Sequence, residues 1–212
     1  MPSSDRVLAF AAVSLVLIAI PGPSVLFVVG RALALGRRAA LTTVAGNTLG
    51  VCVPVLAVAL GVGSVVERSA ALYTVLRLAG AAYLVHLGIR AWRERGRIRA
   101  AVPGAQAPAR GRRTFWEGFT VGATNPKTIV FFAAVLPQFV DRGQGHAAGQ
   151  MLLLGLVFTV IAAVCDGAWG LAAGTARSWF ARSPRRLALL GGTGGLAMIG
   201  LGVGMAATGR AD

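Results

Sequence analysis

The sequence predicts an all-α integral membrane protein: six transmembrane helices forming two inverted-topology three-helix repeats, with the first and fourth helices broken at proline motifs. Three observations predict it. Only 13% of the 212 residues are charged and 56% are hydrophobic, with a mean hydropathy of +0.71; a soluble domain carries about a quarter of its residues as charges, so lipid is the better solvent for this chain. Long apolar runs alternate with short arginine clusters. Those clusters fall in every second connection, as they do when alternate loops face the cytoplasm.

Crossing the hydrocarbon as a helix takes about 20 apolar residues. The runs that meet this are roughly 7–30, 40–66, 70–89, 115–139, 147–174 and 187–208. They fill nearly the whole chain, which reads as a single transmembrane domain over 1–212: a first repeat at about 7–91, a basic linker at about 92–113 and a second repeat at about 115–208. The linker carries Pro103-Gly104-Ala105-Gln106-Ala107-Pro108 among its arginines and lacks the apolar content to fold. Three spans on each side of it make the second repeat begin on the opposite face from the first, the arrangement of an inverted repeat.

Orientation follows from arginine. Arg31, Arg37 and Arg38 follow the first span. Arg90, Arg93, Arg95, Arg97, Arg99, Arg110, Arg112 and Arg113 follow the third, and Arg177, Arg182, Arg185 and Arg186 follow the fifth. The other side holds Arg6, Arg68, Arg142 and Arg210. The bias places the first, third and fifth loops in the cytoplasm and both termini outside.

The same distribution excludes several function classes. A net charge of +14 fits phosphate neutralisation in principle, but the arginines lie between spans, where no soluble domain is long enough to organise a nucleic-acid surface. Cys52 and Cys165 lie inside apolar segments and belong to no disulfide framework or Cys/His metal cluster. No Gly-rich loop ending in Lys-Ser or Lys-Thr is present, so ATP is not the energy source within this chain. No catalytic constellation, cofactor or metal is expected, and no removable signal peptide.

The functional residues are sought at the breaks. Pro21-Gly22-Pro23 interrupts the first span, where two prolines remove amide donors and their rings clash with the preceding turn. Asn125-Pro126-Lys127 interrupts the fourth span at the matching place. Irregular backbone at membrane depth is tolerated only inside protein or beside a watery cavity, because each unsatisfied amide or carbonyl costs several kcal/mol. Two such breaks in corresponding helices point to a substrate site at the midplane, with half-helix amide ends facing anions and free carbonyls facing cations. The alternative is that each proline kinks its helix for packing alone. Asp166, in the fifth span, needs a partner or a task, since an ionised group at the bilayer centre costs at least about 2.5 kcal/mol. Lys127 is its natural partner, and if they approach they suit exchange of a proton for a substrate charge; the competing readings are a structural ion pair and an Asp166 close enough to the cytoplasmic end to be hydrated. Asn47 sits in Gly46-Asn47-Thr48-Leu49-Gly50, where small residues four apart admit a neighbouring backbone. It either satisfies that helix contact or touches cargo. Glu117, near the start of the fourth span, is expected to favour the positive helix end.

With these residues in view, the chain resembles the LysE/RhtB-type amino-acid exporters. The resemblance runs in order through Pro21-Gly22-Pro23, Gly36, Gly46 and Gly50, Gly80-Ala81-Ala82-Tyr83-Leu84 with Gly88, Gly118, Asn125-Pro126-Lys127 and Leu136-Pro137-Gln138-Phe139. It weakens in the final third, where the sixth span is reduced largely to Gly, Ala and Leu. The resemblance implies export of amino acids or derivatives across the bacterial cytoplasmic membrane by proton antiport, and a homodimer. Two other classes stay open: an intramembrane thiol redox carrier using Cys52 and Cys165, and a membrane scaffold without transport. The scaffold reading predicts no polar cavity, and Pro21 and Pro126 lying far apart, or both against lipid, would favour it.

Overall fold

A computed structural model describes residues 2–62, 70–94 and 111–176 continuously, with scattered positions beyond 176. Every regular element among the described residues is helical. Helix α1 (Ser4–Ala19) starts where the Ser3 hydroxyl accepts from the Arg6 amide at 3.4 Å, and it stops at the prolines. Helix α2 (Pro23–Leu35) restarts with Pro23 in its first turn, where a missing amide costs nothing. The two are bent by 49°. Gly36, at φ +88°, supplies the left-handed residue that lets α2 end and α3 (Arg37–Ala57) begin without a linker. A π-helical turn, Val58–Val62, extends α3 beyond Pro54.

Helix α4 (Ala70–Glu94) corresponds to the third expected span. Helices α5 (Gly111–Ala123) and α6 (Pro126–Ala134) form the second broken pair, and α6 continues through a 3₁₀ turn, Leu136–Phe139. Their bend is 40°. Helix α7 (Ala147–Thr175) is continuous. Both ends of the stretch expected as a linker are helical: Trp92 to Glu94 close α4 and Gly111 to Arg113 open α5, since Arg and Glu are good helix formers that water suits. Residues 95–110 of the linker lie outside the described residues, as does most of the sixth expected span, 187–208.

Among the described residues two helical segments, Arg37–Gly61 and Ala147–Thr175, are long and apolar enough to cross a membrane, and four spans result when each bent pair counts as one. Polar side chains are concentrated inward while Leu8, Leu60, Leu156 and Val164 are exposed, as befits a lipid-facing surface.

The close contact of the fold is the crossing of α3 and α5. A Cβ on Gly46 or Gly50 would strike the backbone carbonyls of Phe115 and Phe119, and one on Gly118 or Gly122 would strike those of Thr43 and Asn47. Each helix thus offers two glycines four apart to the backbone of the other. Without a hydrophobic drive between helices in lipid, such close approach is what holds them. The packing expected of Gly46 and Gly50 is present, and Asn47 enters the core on the same helix.

Candidate functional site

Building the site begins at the first break. Pro21 has no amide to return to the Leu17 carbonyl, and the chain turns extended at Ile20, so two carbonyls lose helical partners inside the protein. Lys127 takes them both: its Nζ donates to Leu17 O at 2.6 Å and to Ile20 O at 2.9 Å. Gly22 makes this possible, since a Cβ there would come within 3.0 Å of Lys127 Cδ. Asn125 closes the second break. Its Oδ1 accepts the Lys127 amide at 3.1 Å, capping α6, and its Nδ2 donates to Ser24 Oγ at 2.7 Å. Pro21, Gly22, Pro23, Asn125, Pro126 and Lys127 therefore form one junction between the two broken helices.

Asp166 is 3% exposed on α7 and accepts from Asn47 Nδ2 at 2.8 Å. The expected contact with Lys127 is replaced: among the described residues no N···O approach of 4 Å or less joins them. Lys127 is engaged by the carbonyls of the break, and Asn47 of α3 lies closer to Asp166. Lys127 and Asp166 instead face one cavity of about 30 Å³. Gly22, Ser24 and Val25 bring the start of α2 to its wall; Thr128 sits beside Lys127, and Asn47 and Val51 line it from α3. Phe158, Ala162 and Asp166 line it from α7 at the four-residue spacing of one helix face.

The electrostatics of this cavity carry both signs. The first turn of α2 presents its positive end with no side chain capping it, a place suited to a carboxylate. Lys127 has a third N–H beyond the two it donates. The lining also holds the Asp166 carboxyl and Asn47, whose Oδ1, beside Gly122, is a buried acceptor with no partner. All eight residues singled out in the sequence are in the junction or beside the cavity.

Sequence reasoning missed several others. Ser24 and Thr128 are unremarkable as single hydroxyls, although both adjoin the proline motifs. Gly122 pairs with Gly118 at the same spacing as Gly46 and Gly50, a signal that was present. Lys127 also stands out as the only lysine against twenty arginines, and an ammonium suits two converging carbonyls better than a planar fork. Glu117 is corrected: rather than serving the helix end, it accepts from Arg31 at 2.5 Å and from Arg113 at 3.0 Å. Trp169 packs against the Val25, Val28 and Ala173 cluster. The thiols gain no polar setting, with Cys165 packed on the main core and Cys52 donating to the Thr48 carbonyl at 3.7 Å. The breaks are in contact through Lys127 and Asn125, so the separation that would favour the scaffold reading is not found.

Comparison with known proteins agrees with this geometry. The sequence profile described as LysE type translocator matches residues 15–209. An uncharacterized membrane protein of Vibrio cholerae is 32% identical over 92% of this chain and 94% of its own. A homoserine/homoserine lactone efflux protein of Salmonella typhimurium is 36% identical over 73% of each chain. A threonine efflux protein of the same organism is 32% identical over 73% of this chain and 79% of its own. No solved structure matches. With a profile match over most of its length and a junction of two broken helices enclosing charged groups, the chain belongs to the LysE type translocator family.

Proposed function

We propose that the protein is a secondary transporter that exports small amino acids or close derivatives from the bacterial cytoplasm in exchange for protons. The observation that carries this is the meeting of the two breaks at one small cavity lined by Lys127, Asp166 and other polar side chains among apolar ones. An amino-acid zwitterion suits its charged groups: the carboxylate toward the open end of α2 and the third N–H of Lys127, the ammonium toward the Asp166 carboxyl. Ser24 and Thr128 add hydroxyls for a short polar side chain. The efflux functions named for relatives of comparable length support the direction and the class of cargo.

At about 30 Å³ the cavity has room for about two waters, and a threonine-sized molecule enters only when the helices part. Coupling falls to Asp166. Asn47 serves either form of the carboxyl, since its amide donates to a carboxylate and its carbonyl accepts from the acid after a flip. Six spans in two inverted repeats, with both termini outside, complete the reading, supported by the matched bends of 49° and 40° and by the arginine distribution.

The test is to overexpress the chain in a bacterial strain fed dipeptides and to profile the amino acids that accumulate in the medium. External threonine- or homoserine-like amino acids rise above the empty-vector control. An unchanged profile across the panel removes the assignment.

A further inference from the structure

We propose that the cavity is closed at its two ends by unlike gates: the Arg31–Glu117 ion pair at one end and a cluster of closely packed phenylalanines at the other. The inference rests on the transport reading above and deepens it by naming what controls access to the site.

The two broken helices run in opposite directions. Arg31, seven residues after Ser24 on α2, and Glu117, eight before Asn125 on α5, therefore lie at the same end of the junction. Arg31 Nη2 donates to Glu117 Oε2 at 2.5 Å, Arg113 Nε donates to Glu117 Oε1 at 3.0 Å, and the Arg31 guanidinium lies 5.0 Å from the centre of the Phe27 ring. The Arg31 side chain is only 13% exposed and its Nε is buried without a partner. The pair joins α2 directly to α5, so those helices cannot separate at this end while it holds. Arg31 is one of the arginines that place this end in the cytoplasm.

At the other end the closure is apolar. Phe10 of α1 packs on Phe131 of α6 at 5.8 Å and on Phe139 of the following 3₁₀ turn at 5.3 Å. Phe158 of α7 packs on Phe131 at 5.4 Å and on Phe132 at 4.7 Å. Phe10, Phe131, Phe132 and Phe158 are 2% exposed or less, and Phe158 is also part of the cavity wall. An ion pair at this end, Arg6 with Asp141, is longer at 3.6 Å, with side chains 42% and 26% exposed; a pair so exposed holds little. Rings packed in tilted and edge-to-face contacts exclude water without any charge. Opening this end therefore means sliding α1 against α6 and α7, whereas opening the other means breaking one ion pair.

Access is read by thiol labelling. In a Cys52→Ala, Cys165→Ala background, Val25→Cys places a reporter on the cavity wall. A charged, membrane-impermeant thiol reagent is applied to right-side-out and to inverted membrane vesicles. Glu117→Gln and, independently, Arg31→Gln raise the labelling rate from the cytoplasmic side roughly fivefold, the scale of one partly exposed ion pair, and leave the other side unchanged. Arg31→Lys keeps the parental rates. Phe10→Leu, or Phe139→Leu should Phe10→Leu fold poorly, raises labelling from the outer side alone. Rates that rise equally from both sides, or that move in neither Glu117→Gln nor Arg31→Gln, overturn the gates. Labelling reports access and not cargo. Shifted rates in a chain that exports nothing leave the gates standing and remove the export reading, whereas intact export with unmoved rates removes the gates alone.

Discussion

Lys127 shows how one side chain can be both structure and site. Its ammonium is buried, yet it is not left uncompensated, because the break in α1 frees the two carbonyls it binds. Lys127→Met leaves Leu17 O and Ile20 O without that donor. The lost desolvation cost of the ammonium offsets part of this, and the expected net destabilisation is about 1–3 kcal/mol, read as a lower midpoint in thermal unfolding in detergent. Lys127→Arg does not restore stability, since the lysine stem lies so near Gly22 that even an added Cβ there would come within 3.0 Å of it, which leaves little room for a broad guanidinium. A Lys127→Arg variant with parental stability and export would show that charge alone is required. From sequence the position of Lys127 beside a proline break was legible, and so was its need for a partner. The identity of that partner was not, because it depends on where the carbonyls of α1 fall in space, a hundred residues earlier in the chain. Asp166 carries the same lesson: its charge was conspicuous, but Asn47 reaches it only through the packing of α3 on α7.

Among the elements, the two breaks were the most legible features, since proline removes an amide wherever it stands and membrane depth makes that loss expensive. The α3–α5 crossing was half legible. The Gly46 and Gly50 pair announced a close contact, but nothing local said that Gly118 and Gly122 would answer it. Their reciprocity makes a sharp prediction. Gly50→Ala sets a methyl group on the Phe119 carbonyl and forces the helices apart, and the overpacking, about 1–3 kcal/mol, exceeds the gain of roughly 1 kcal/mol from replacing a helical glycine. Gly149→Ala on α7 meets open space and is neutral or slightly stabilising. Thermal unfolding of both variants in the same detergent separates packing from propensity, and equal midpoints for the two would contradict the close crossing. The apolar boundary of the linker misplaced the ends of α4 and α5, because hydropathy finds where lipid ends rather than where a helix ends.

For the molecule as a whole, the decisive question is whether movement of cargo is tied to movement of protons. Asp166 is the acidic side chain at the cavity, held by Asn47 and lining the same cavity as Lys127. If protons enter as amino acids leave, the carboxyl must take a proton when the cavity faces outside and release it when the cavity faces the cytoplasm. An acid exterior then accelerates export. Asp166→Asn preserves the volume and a hydrogen bond to Asn47 but cannot exchange a proton. Vesicles carrying this variant are expected to pass the cargo down its own gradient while losing the acceleration that an imposed pH gradient gives the parent. The comparison is of initial rates with and without the gradient, at equal cargo concentrations. Because the fold and the junction of the breaks are unchanged by an isosteric substitution, a rate that responds to the pH gradient as fully as the parent's would move proton coupling elsewhere in the protein and leave Asp166 a structural partner of Asn47.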